Sequence, residues 1–145
     1  MSIPKLSLVS RPSAKALIVL GAVSDKKGVR FVSSRDTSKL AKLAEALEIT
    51  GAQDSFTTVI DPAHPTTVLA VVGLGSEPLS PNSYRYAGAV ATRKLAGNEV
   101  VAFDLGLRDT ADIEALAEGA ALGSYSYNEY KSTPEKKSPV SGVEI

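Results

Sequence analysis

The chain has 145 residues, 43% of them apolar, which suits one domain with a buried core. Its 16 basic and 16 acidic residues cancel to a formal charge of zero, a poor balance for coating nucleic acid through many phosphate contacts. It has no cysteine, which excludes disulfides and thiolate metal sites, and no apolar run near the roughly 20 residues of a membrane span, so a soluble, cytoplasmic domain is expected.

Leu6 to Val9 reads as a short first strand. Ala16 to Val23 (ALIVLGAV) is nearly continuous apolar sequence, as in a strand buried on both faces. A loop with a possible strand at Val29 to Val32 follows. DTSKLAKLAEALEITG predicts a helix with Leu40, Leu43, Ala44 and Leu47 on one face, capped by Asp36 or Thr37 and closed at Gly51. Phe56 to Ile60 predicts a strand, ended by Asp61-Pro62 and His64-Pro65.

Thr67 to Leu74 (TVLAVVGL) is a second buried strand. Ser80-Pro81 predicts a helix start, with a capping hydroxyl before a proline at the first helical position. That helix carries Tyr84, Ala87, Gly88, Ala91 and Leu95 on one stripe, Arg93 and Lys94 in its last turn, and Gly97 beyond it. Glu99 to Leu105 is the next strand. Asp109 or Thr110 caps a last helix with Ile113, Leu116, Ala117, Ala120 and Ser124 on one face. The alternation of strands and helices predicts a mostly parallel sheet with helices on both faces.

Chemistry is sparse. VVGLGSEP places Gly73 and Gly75 between strand and helix, where a glycine turn can bind a phosphate. The third glycine of a dinucleotide fingerprint is missing, and a tight turn tolerant of positive φ is the plainer reading. His64 is the single histidine, without a neighbouring second ligand. Asp104 ends a strand at the edge where α/β sites form, and Asp109 and Asp112 suit helix capping. Lys26, Lys27 and Arg30 cluster in one loop, and Lys131, Lys136 and Lys137 in the tail; solvated loops account for both. No residue is assigned as catalytic or as a metal ligand. Tyr125, Tyr127 and Tyr130 close the last helix, either as packing onto the domain's own sheet or as interface contacts.

Three stretches then carry a resemblance. VLAVVGLGSEPLSPNSYRYAGAVATRKLAG, EVVAFDL and EGAALGSYSYNEYKS together resemble the N-terminal domain of leucyl aminopeptidases, also called cytosol aminopeptidases. In that family a helix finishes in a pattern like E-G-x-x-L-x-x-Y-x-F-x-x-Y-K, matched here by Glu118, Gly119, Leu122, Tyr125, Tyr127, Tyr130 and Lys131. The likeness runs from about Thr67 to Ser132. It implies a macro-domain-like, three-layer α/β/α sandwich with a mostly parallel mixed sheet. It implies a parent enzyme that removes N-terminal residues from peptides with two divalent metals, manganese or zinc, held in a larger C-terminal catalytic domain.

Under that resemblance residues 1–131 form the N-terminal domain, and 132–145 are a linker and the start of the catalytic domain. SGVEI, with Val143 and Ile145 alternating, reads as the opening of a strand, so the chain is expected to be part of a longer protein. The fragment itself is expected to hold no cofactor and to serve assembly or regulation. Its expected partners are its own catalytic domain and, in the parent, the other subunits of a homohexamer and peptide substrates. The rivals are a free-standing nucleotide- or ADP-ribose-binding domain and a DNA-binding module.

Overall fold

A computed structural model of the chain describes residues 4–9, 12–26, 28–34, 37–62, 64–107, 109–130 and 140–145, with side chains of the last helix described as far as 124. The elements are β1 (Lys5–Ser7), β2 (Leu17–Asp25), β3 (Gly28–Val32), α1 (Ser38–Leu43), β4 (Phe56–Ile60), β5 (Val68–Ser76), α2 (Pro81–Lys94), β6 (Val100–Asp104), α3 (Thr110–Tyr130) and β7 (Gly142–Glu144). They build one sheet in the order β1-β7-β6-β2-β5-β4, with β3 paired to β2 off this path. The four inner pairings from β1 through β5 are parallel; β4 on β5 and β3 on β2 are antiparallel.

β2 is the centre of the sheet, as its unbroken apolar run predicts. β5 takes one of its edges from Ile18 to Ser24, so β6 and β3 must share the other. β6 pairs with Leu17 to Leu20, and β3 with Gly21 to Asp25. β3 therefore continues the lane of β6 past its carboxyl end.

The two faces of the sheet carry separate cores. Val19 and Val23 of β2, Val72 and Leu74 of β5 and Val101 and Phe103 of β6 pack with Tyr84, Ala91, Leu116 and Ala120 of α2 and α3. Ile18, Leu20 and Ala22, with Leu69, Val71 and Val59, pack with Leu40, Ala44 and Ile49 on the opposite face. The result is an α/β sandwich with helices on both sides, the layering expected from the element order.

α2 begins as the sequence predicts. Ser80 and Ser83 form a reciprocal capping box, and Pro81 occupies the first helical position. Its stripe Tyr84, Ala87, Gly88, Ala91 and Leu95 is buried. On α3 the buried stripe is rotated from the expected one. Ala115, Leu116 and Ala120 are buried, with Gly119, Gly123 and Ser124, while Ile113 and Ala117 are only half covered. The glycines set this rotation by letting α2 approach. A methyl on Gly119 would lie 1.9 Å from the Arg85 carbonyl oxygen, and one on Gly123 would lie 2.3 Å from that of Ala89.

The first predicted helix is much shorter than its apolar spacing suggests. α1 stops at Leu43, and Leu43 and Leu47 are exposed rather than buried. Glu48 adopts φ of 58°, which turns the chain so that Ile49 enters the core. Gly51, expected as the helix cap, instead presses its backbone on β2: a methyl there would lie 2.7 Å from the Ser24 nitrogen. Asp36, one proposed cap, lies outside the described residues, and Thr37 makes no side-chain capping bond.

The strand expected at SGVEI forms as β7. It lies inside this sheet, between β1 and β6, with Val143 fully buried and Val140 nearly so. The Ser141 and Gly142 amides both donate to the Glu99 carbonyl, each at 3.0 Å.

Candidate functional site

Parallel strands align their carboxyl ends on one rim of the sheet, where open α/β folds bind ligands. Here that rim holds Asp25 of β2, Ser76 of β5, Asp104 of β6 and Glu144 of β7. Arg30 of β3 and Glu77, just after β5, form an exposed ion pair across it. A hollow of about 530 Å³ opens on one side of the pair, lined by Ser24, Asp25, Lys26 and Ser76. Another of about 370 Å³ opens on the other, lined by Val32, Pro78, Leu79, Tyr84 and Gly106. The pair neutralises one of the three cations in the predicted basic loop; Lys27 lies outside the described residues.

Asp104 has a structural task at this rim. Its carboxylate accepts from the Ser33 hydroxyl at 2.7 Å, the Ser34 hydroxyl at 3.0 Å and the Ser34 amide at 3.0 Å. Three donors from the chain leaving β3 thus converge on the end of β6 and fasten one strand above the other. A third hollow, of about 290 Å³, lies alongside, between Asp104, Ser34, Pro12 and Glu144. Glu144 accepts from the Ser13 amide at 2.8 Å. Among the described residues, the hydroxyls that meet Asp104 are those of Ser33 and Ser34, and no histidine or lysine lines this hollow to activate them.

The glycine turn of the sequence reading is not a turn. Gly73 and Gly75 lie within β5, and the loop before β4 packs directly over them. A methyl on Gly73 would lie 1.8 Å from the Ala52 carbonyl oxygen; the Gly75 amide donates to the Gly51 carbonyl at 2.9 Å. These glycines make room for the protein's own loop. Asp109 caps α3 by accepting from the Asp112 amide at 3.1 Å. His64 stands two-thirds exposed, its Nδ1 3.4 Å from the Asp61 carboxylate. The side chains of Tyr125, Tyr127 and Tyr130, with Lys131, Lys136 and Lys137, lie outside the described residues, although α3 itself runs to Tyr130.

Sequence reasoning found Asp104 but missed its partners and the Arg30–Glu77 pair. Strand ends can be read from a pattern; which distant loop folds over them cannot. Among the described residues no three His, Cys, Asp or Glu side chains assemble into a group that could hold a metal ion. No described helix is long and apolar enough to cross a membrane.

Sheet and helix layers together define an α/β sandwich domain. The chain belongs to the cytosol aminopeptidase family, whose N-terminal-domain model matches residues 10–134. It is 36% identical, over its whole length, to a probable cytosol aminopeptidase of Leifsonia xyli subsp. xyli, and 32% identical over 95% of its length to one from Streptomyces coelicolor. It spans about 30% of those relatives' length. Its fold is similar to that of a mutant tomato leucine aminopeptidase, with TM-score 0.63 at 19% identity, covering 98% of this chain and 32% of the other. It is also similar to the bottromycin maturation enzyme BotP in complex with Mn, with TM-score 0.62 at 21% identity, over 91% of this chain and 26% of that one.

Proposed function

We propose that this chain is the non-catalytic N-terminal domain of a metal-dependent leucyl aminopeptidase that releases N-terminal residues from peptides. The family match over residues 10–134 carries the reading, and the 30% coverage of the relatives leaves most of their length outside this chain. Two divalent ions, manganese or zinc, would act in that remaining part. The residues described here do not fit such a centre, since no trio of metal-donor side chains comes together. The domain's own work is then mechanical: a rigid layer that orders subunits, six in the parent by the family resemblance, and shapes access to a cytoplasmic active site.

The test separates the two halves of the claim. The purified chain, incubated with manganese or zinc and a leucine amide, should release no leucine, while the full-length protein should do so under the same conditions. Metal-dependent turnover by residues 1–145 alone would overturn the non-catalytic assignment. A full-length protein inert on every aminoacyl amide would overturn the peptidase one.

A further inference from the structure

We propose that the free edge of β4 is a docking strand for a second copy of this chain, paired antiparallel about Thr58. The Asp61 amide donates to the Thr67 carbonyl and the Gly73 amide to the Ser55 carbonyl, at 2.8 and 2.9 Å. In the continuous β4–β5 register these bonds turn the backbone of the odd-numbered residues inward. Phe56, Thr58 and Ile60 therefore point their N–H and C=O groups outward, along an edge with no neighbour in the sheet among the described residues.

Sheet edges of stable monomers are blunted by charge, proline, a bulge or brevity. The opposite edge of this sheet obeys: β1 is three residues long, follows Pro4 and begins with Lys5. Within β4 these guards are absent, and the charge and proline of Asp61-Pro62 come only past its last residue. FTTVI is uncharged, has no proline and pairs with β5 without a register shift. Ile60 is 62% exposed, and its cross-strand neighbour Val68 is 48% exposed. Such a strand exposed to water is prone to pair with another.

The sequence selects its own copy as the occupant. In antiparallel self-pairing about Thr58, each Phe56 lies opposite the other copy's Ile60, and the two Thr58 residues face each other. Aromatic–β-branched and Thr–Thr pairs are favourable cross-strand combinations, and no like charges meet because the strand has none. The outward groups would make a ladder of about six main-chain hydrogen bonds. A closed twofold contact of this kind is the commonest homo-oligomeric interface. The inference stands on the edge geometry and does not depend on the aminopeptidase reading.

Light scattering and sedimentation over a concentration series test it on the chain itself. The wild type should dimerise. Thr58→Lys and Thr58→Glu each place like charges face to face at the twofold and should raise the dissociation constant by about tenfold or more. An equimolar mixture of the two variants should recover the dimer, because opposite charges then meet. A wild type that stays monomeric up to its solubility limit overturns the proposal and leaves the edge to a strand from another polypeptide. Dimers equally tight in both variants overturn it by moving the contact elsewhere, and a mixture that stays monomeric overturns the register.

Discussion

The Thr92 hydroxyl of α2 donates to the carbonyl of Ala120 on α3, 3.1 Å away, while also reaching its own helix at Gly88, 2.9 Å away. Thr92 is fully buried, so this shared proton is held in a dry interface. Such a bond requires backbones nearly in contact. Gly88, Gly119 and Gly123 provide that proximity by removing the side chains that would hold the helices apart. One face of the sandwich is therefore a pair of helices fused by small residues, which cover the sheet together.

Replacing Gly119 by alanine is the direct probe of that fusion. The added methyl meets a carbonyl oxygen of the facing helix, which cannot swing aside as a flexible side chain would. Overpacking of this kind costs about 1–3 kcal/mol, partly offset by the roughly 1 kcal/mol by which alanine favours helix over glycine. Urea denaturation should show a net loss for Gly119→Ala, and Leu122→Ala, at an exposed site on the same helix, should lie within about 0.5 kcal/mol of wild type.

Thr92→Val keeps the shape and deletes the hydroxyl. Stability should fall by about 1 kcal/mol, the typical net worth of one buried hydrogen bond. Thr92→Ser retains the donor but loses a methyl, and the two variants together separate bond from packing in denaturant titrations.

Asp104→Ala should loosen the rim. Three donors from Ser33 and Ser34 lose their acceptor, at a cost of about 1–2 kcal/mol for a partly exposed, charge-assisted set. The local readout is hydrogen exchange at the Ser34 amide, which should quicken far more than amides in the middle of β2. Equal quickening across the whole sheet would indicate global destabilisation instead.

Gly73→Ala should displace the loop before β4. The methyl would meet the Ala52 carbonyl at 1.8 Å and the Ser55 hydroxyl at 2.3 Å. We expect faster proteolysis within residues 50–55, with a stability loss of about 1–3 kcal/mol. Unchanged cleavage there would show that the loop yields without cost.

Much of this fold can be read from residue order. ALIVLGAV and TVLAVVGL each form a strand buried on both faces, because β-branched and aliphatic runs suit a covered sheet. Ser80-Pro81 marks a helix start because its chemistry is local. Illegible features all depend on distant partners. Leu43 and Leu47 share a helical face with Leu40, yet the demand of β2 for Gly51 and of the core for Ile49 ends the helix early. Gly73 reads as a turn until the loop it accommodates is seen. Asp104 announces itself at a strand end, but its serine partners lie about 70 residues away in sequence.

The position of β7 dictates the order in which this sheet can be finished. Among the described residues β1 pairs with β7 alone, so this strand has no neighbour in the sheet until the residues around Gly142 emerge from the ribosome. At translation speeds of about 5–20 residues per second, β1 waits several seconds beside a half-built sheet. Closing so long a loop is also a slow kind of contact, which makes docking of β1 on β7 a natural late step in maturation.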